Sequence, residues 1–266
     1  MCELLGMNCN VPTDICFSFT GFQKRGGETG VHADGWGIAF FEGRAARLFP
    51  DPTPSAQSPL AEWVKAYPIH SQNVIAHIRK ATKGAVGLEN THPFSRELWG
   101  RCWIFAHNGH LENFFPTWSG AVLPIGQTDS ERAFCLILQN LREKFPTPPA
   151  PEILFNAILE TTLKIAEFGE CNFLLSQGDS LFAHASTRLS YIVRQAPFKK
   201  AHLKDQDVSV DFSEVTNDTD RVAIVATLPL TDDEIWSEIP AGTLCEFQDG
   251  ALIRTAKTKV GVRATP

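Results

Sequence analysis

Apolar residues in this chain follow two rhythms, and each rhythm predicts a different kind of element. Spacing of three to four residues covers Thr13 to about Gln23 and Pro59 to Tyr67. It recurs in a stretch opened by Thr128 that carries Phe134, Ile137, Leu138 and Leu141 on one stripe. It returns from Pro151 to Phe168 with Leu154, Ile158, Leu159, Leu163 and Ile165. These helices have boundary signals: Gly26-Gly27 after the first, Pro68 after the second, Thr128 and Glu131 at capping-box spacing in the third, and prolines from Pro146 before the fourth. Alternating or continuous apolar runs predict strands at Trp36 to Phe41, Ala45 to Phe49, Asn73 to Arg79, Cys102 to His107 and Asn172 to Ser176. Further runs lie at Leu181 to Ala185, Tyr191 to Arg194, Val222 to Thr227 and Thr243 to Ile253. Glu42-Gly43, Gly178-Asp179 and Asp249-Gly250 are hairpin signals among them.

Strands that arrive as hairpins, with helices that arrive as an adjacent pair, lack the alternating order of βαβ units. They predict an α+β fold with antiparallel sheets and segregated helices. Asp51 to Ser58 and Pro146 to Pro151 read as loops rather than linkers, because patterned sequence continues on both sides. One domain over residues 1–266 is therefore expected, with a loosely held tail after Thr255.

Composition narrows the function. The 266 residues, 43% hydrophobic, are enough to bury a core. With 24 Lys and Arg against 30 Asp and Glu the net charge is −6, and no long basic run is present, so nucleic acid and membrane are not expected partners. No apolar run approaches the roughly 18 residues needed to span a bilayer. MCELLGMNCN lacks a basic stretch ahead of an apolar core, so the expected location is cytoplasmic. Seven scattered cysteines, without a C-x-x-C pair, read as mostly reduced and buried.

Cys2 is the exception by position. Loss of Met1 would give one residue a thiol and a free α-amine, and an amine with a pKa near 7.7–8.0 can take the proton of its own thiol. Alternatively, Cys2 is a small apolar side chain that starts a strand. The segment Phe105-Ala106-His107-Asn108-Gly109 offers a side-chain amide beside a glycine N–H, two donors suited to an oxyanion; it also reads as an ordinary Asn-Gly turn. Arg79 at a strand end can grip a carboxylate or be a solvated charge. Asp129 can hold an ammonium group or simply suit its helix dipole. A thiol, two oxyanion donors, one cation and one anion together match the needs of glutamine. His107 and His110 are separated by the Asn-Gly turn and no third ligand is in view, so no metal is expected. Trp99, Trp103 and Phe105 read as packing.

Met1-Cys2, KRGG with Arg25, AHIRKAT with Arg79 and Thr82, NTHPF with His92, HNG with Asn108 and Gly109, and TDSE with Asp129 follow one another in this order. The set resembles the motifs of class II glutamine amidotransferases of the N-terminal nucleophile (Ntn) hydrolase type, and the whole chain is similar to their stand-alone, YafJ-like branch. The resemblance implies a four-layer αββα sandwich of two antiparallel sheets flanked by helices. It implies Cys2 as nucleophile, its amine as base, Asn108 and the Gly109 N–H as oxyanion hole, Arg79 for the glutamine carboxylate and Asp129 for its ammonium. Thr82 and His92 would line the glutamyl pocket and Arg25 would support the loop near Cys2. Glutamate and ammonia would be released through a thioester, without a cofactor or metal. Lys80 and Lys83 stand where sugar-phosphate amidotransferases commonly carry Trp and His.

Multidomain members continue into a domain that consumes the ammonia. For this chain the resemblance leaves three readings: a glutaminase serving a separate ammonia-accepting synthase, a free-standing hydrolase of a γ-glutamyl amide, and a non-catalytic glutamine-binding regulator.

Overall fold

The computed structural model describes residues 2–81 and 84–258. The first part of the chain forms β1 (Glu3–Thr13), α1 (Cys16–Lys24), β2 (Trp36–Glu42), β3 (Ala45–Asp51), α2 (Pro59–Ala66) and β4 (Ser71–Ile78). The middle forms β5 (Phe94–Leu98), β6 (Arg101–Leu111), α3 (Asp129–Lys144), α4 (Pro151–Ile165), β7 (Gly169–Ser176) and β8 (Ser180–Ala185). The remainder forms β9 (Leu189–Gln195), β10 (Lys200–His202), β11 (Ser209–Asp211), β12 (Arg221–Ala226), β13 (Ser237–Ile239), β14 (Thr243–Gln248) and β15 (Ala251–Lys257). One sheet runs β13-β9-β12-β1-β4-β2-β3 and the other β15-β14-β8-β7-β6-β5, while β10 and β11 make a separate hairpin.

Side-chain alternation along the strands stacks these sheets. On β1, Leu5, Met7 and Cys9 face Phe19 and Phe22 of α1 and Ala61 and Val64 of α2. Leu4, on the opposite face, joins Ile75 and Val225 against Ile104, Ala106, Leu174 and Ala183 of the second sheet. That second sheet turns Trp103, Phe105 and Phe173 outward onto Phe134, Ile137 and Leu138 of α3 and Phe155 and Ile158 of α4. Three apolar layers thus separate four layers of secondary structure, an αββα sandwich.

Several elements depart from the sequence expectation. The helix expected from Thr13 starts at Cys16, because β1 runs through Thr13 and the Asp14 carboxylate caps the Cys16 N–H at 2.9 Å. Periodicity did not reveal β1 itself, and β5 was also missed; β1 is buried on both faces and so lacks the alternation that marks a half-exposed strand. The helices form two pairs, one on each outer face. Thr243 to Ile253 is two strands joined at Asp249-Gly250, where the hairpin signal stands. Most consequential, HNG is not a turn: β6 continues through Leu111, with Asn108 opposite Asn172 and Gly109 opposite Cys171. The tail expected to be loose after Thr255 is strand through Lys257, and residues 259–266 lie outside the described residues.

Candidate active site

Parity along three strands gathers the site. Cys2 shares the inward face of the first sheet with Leu4, Arg79 shares it with Ile75 and His77, and Asn108 shares the inward face of the second sheet with Ile104 and Ala106. Cys2 and Asn108 therefore meet across the sandwich: the Cys2 N–H donates to Asn108 Oδ1 at 2.9 Å. This contact joins residues 106 positions apart. It also orients the amide, leaving Asn108 Nδ2 as the outward donor.

Beyond Phe105, β6 pairs only with β7, so its other edge is open toward the site. The Leu111 N–H on that edge donates to Asp129 Oδ2 at 2.7 Å. The Gly109 N–H, two residues earlier, points to the same edge beside the Asn108 amide. A Cβ at Gly109 would overlap the Glu170 carbonyl oxygen and stand 2.8 Å from His107 Nε2, so only glycine lets β6 and β7 approach here.

Lys80 brackets the thiol. Its N–H lies 3.3 Å from Cys2 Sγ, and its carbonyl accepts from Sγ at 3.5 Å. Burial pushes the Cys2 thiol up, against the opposing pull of the Lys80 N–H and the Arg79 charge. The net effect favours the thiol over the thiolate. Arg79 is buried, and its guanidinium donates to the Ala85 and Gly84 carbonyls at 3.1 and 3.3 Å. A Cβ added at Gly84 would meet Asn90 Nδ2 and Thr128 Cγ2 at 3.5 Å and Arg79 Nη2 at 3.6 Å, so Gly84 faces the entry to α3, where Asp129 is the first helical residue.

Cys2, Asn108, Gly109, Arg79 and Asp129 converge at one end of the sandwich. Arg25 and His92 lie behind them. Arg25, just past α1, is buried and pairs with Glu3, the residue after Cys2. His92 is also buried, its ring 4.2 Å from His77 and 4.3 Å from Phe94, so it packs between β4 and the start of β5. Burial lowers the pKa of His77 to about 3 and that of His92 well below the ordinary histidine value. Thr82 lies outside the described residues. His107 faces α3 and bonds to Ser130 Oγ at 2.8 Å; His110, three residues on, projects from the opposite face of β6, so the two cannot share an ion. Among the described residues no group of three or more His, Cys, Asp or Glu could hold a metal, and no helix is long and apolar enough to cross a membrane.

Sequence reasoning missed the residues that hold these loops. Asp34 Oδ2 accepts from the Ala81 N–H at 2.8 Å. Asn90 Oδ1 accepts from the Gln127 N–H at 3.0 Å. Asn172 Nδ2 reaches both the Asn108 carbonyl and Thr187 Oγ1, at 3.0 and 2.8 Å. The signal for Asn172 was an amide opening an otherwise apolar strand; Asp34 carried none.

Two stacked antiparallel sheets between helix layers, with a cysteine heading a central strand opposite an asparagine of the other sheet, define the Ntn hydrolase class of fold. Residues 1–265 match the family of class II glutamine amidotransferases, and the chain belongs to that family. It is 52% identical over 243 residues to the Escherichia coli protein YafJ, covering 91% of this chain and 95% of that protein. The crystal structure of a predicted glutamine amidotransferase from Pseudomonas aeruginosa is similar at 44% identity and a TM-score of 0.76, over 95% of this chain and 99% of that one. A more distant likeness, 25% identity over 231 residues and 85% and 80% of the two chains, is to the gamma-glutamyl-hercynylcysteine sulfoxide hydrolase of Mycobacterium tuberculosis.

Proposed function

We propose that this protein hydrolyses the side-chain amide of glutamine or of a γ-glutamyl amide through a thioester on Cys2. Removal of Met1 frees the Cys2 α-amine. That amine takes the thiol proton, and Sγ attacks the amide carbonyl carbon. Asn108 Nδ2 and the Gly109 N–H receive the oxyanion. Collapse breaks the C–N bond, and the α-ammonium returns its proton to the departing nitrogen. Water, deprotonated by the same amine, then cleaves the C–S bond and releases glutamate and the restored thiol. Arg79 holds the substrate carboxylate and Asp129 its ammonium, with Thr82 lining the glutamyl pocket and His92 supporting it from behind. The chemistry asks for no metal or cofactor.

The observation that carries this reading is the 2.9 Å bond from Cys2 N to Asn108 Oδ1. It brings the prospective base, nucleophile and oxyanion donor within one contact. With glutamine as substrate the ammonia would serve a separate synthase. The likeness to a gamma-glutamyl-hercynylcysteine sulfoxide hydrolase favours a second reading, in which a γ-glutamyl conjugate is cleaved without an acceptor.

Intact mass first establishes the fraction of protein lacking Met1. Glutamate and ammonia released from glutamine and from γ-glutamyl conjugates are then measured separately. Turnover is expected only from the processed form and is lost in Cys2→Ala; undiminished turnover in that variant defeats the proposal.

A further inference from the structure

Strand alternation gives Glu3 an unusual position. It follows Cys2 on β1 and shares the helix-facing side with Leu5, Met7 and Cys9, an otherwise apolar row. Only 5% of its surface is exposed. A carboxylate buried there is costly unless an opposite charge meets it.

Arg25 is that charge. Its Nη1 lies 3.3 Å from Glu3 Oε2, and its Nε donates to Asp205 Oδ2 at 2.8 Å. Its Nη1 and Nη2 also donate to the Leu228 and Pro229 carbonyls, at 3.1 and 2.7 Å. Asp205, in the β10–β11 turn, also accepts from Thr29 Oγ1 at 2.9 Å. One buried cation therefore joins two carboxylates, the end of α1, the segment after β12 and the residue next to the nucleophile.

We infer that Arg25 is a positioning residue that balances the charge of Glu3 beside Cys2, so that the Cys2 α-amine is free to accept the thiol proton. The inference rests on the reading of that amine as the base. An uncompensated carboxylate next to an amine favours the ammonium form, which cannot take a proton. The other groups that act here are Arg79 from the end of β4 and His32 from the loop after α1. Further round the site are Asp34 on Ala81, Asp129 on Leu111, and the exposed Lys80 side chain. Burial pushes the Glu3 carboxyl up, and Arg25 opposes that shift without cancelling it.

The test is the pH profile of kcat/KM for glutamate release from L-glutamine and from γ-glutamyl p-nitroanilide, whose acid limb reports the free enzyme's base. Arg25→Met is expected to move that limb up by about half a pH unit or more, with activity recovering at high pH. Glu3→Gln, which keeps its size and an acceptor toward Arg25, is expected to move the limb down by a similar amount. The double variant returns near the wild type. A limb unmoved in both single variants, with activity lowered by one factor at every pH, overturns the inference and leaves Arg25 a structural brace. If Arg25→Met does not fold, the Glu3→Gln limb alone decides. A wild type inert toward both substrates, or Cys2→Ala as active as the wild type, refutes the base reading itself. An active wild type whose limb ignores both substitutions sinks only the role of Arg25.

Discussion

Asn108 is held from three directions. Its strand pairs with β7, its carbonyl accepts from Asn172 Nδ2, and its side-chain oxygen accepts from the Cys2 N–H, which leaves Nδ2 a single outward direction. A donor fixed in advance loses no orientational freedom when charge develops on a substrate oxygen, which is what the proposed oxyanion hole requires of it. Asn108→Ala is therefore expected to lower kcat by roughly 10²–10³. The steady-state kinetics of glutamate release by the variant check this, and a kcat within a few-fold of the wild type would remove Asn108 from the oxyanion hole. The candidate residues were legible because thiol, cation, amide and carboxylate occur in short motifs along the chain. Their supports were not. Asp34 and Asn172 are ordinary polar residues until the fold shows which backbone groups they satisfy.

At the scale of elements, helix α3 sets one wall of the site. Thr128 Oγ1 accepts from the Glu131 N–H at 3.2 Å, the first half of the capping box expected at that spacing. The reciprocal half is diverted: the Glu131 carboxylate accepts from the Ile125 and Gly126 N–H groups at 3.0 and 2.6 Å and pairs with Arg96. The cap thus fastens the loop before the helix and the β5 strand as well as the helix end, and with them Asp129. Thr128→Ala is expected to cost about 1 kcal/mol of stability. It should also raise the KM for glutamine more than it lowers kcat; thermal unfolding and kinetics on the same preparation check both. An unchanged KM would detach Asp129 from substrate binding. The HNG segment shows the limit of local signals. Asn-Gly favours a tight turn in isolation, but eight residue pairs from Ile104 to Leu111 along β7 keep it extended.

The sandwich buries histidines that the proposed chemistry leaves largely unused. Among the described residues, both ring nitrogens of His77 and of His92 lack hydrogen-bond partners. Burial lowers the pKa of His77 to about 3 and of His184 to about 4, and lowers that of His107 as well. An imidazole depressed in the folded state takes up its proton first in the unfolded chain, near the ordinary value of about 6.5. Its stabilisation is therefore complete above that pH and is lost as pH falls toward the folded value. Each such histidine removes up to about 1.4 kcal/mol per pH unit. Urea unfolding at pH 7.5 and pH 5.5, a window above the ordinary carboxylate range, is expected to show a clear loss of stability at the lower pH. Equal midpoints and slopes would contradict a core of neutral imidazoles.

The sequence by itself determined the class of fold and named the candidate groups for the proposed chemistry. Apolar period and turn chemistry act over a few residues, and the motifs needed for an amide substrate stand in the chain as short local strings. Only the tertiary structure decided that Cys2 and Asn108 touch, that Gly109 lies within a strand, and that Arg25 answers Glu3. Each of those contacts joins separate elements, and its geometry follows from strand register and the stacking of two sheets, quantities that no local pattern encodes.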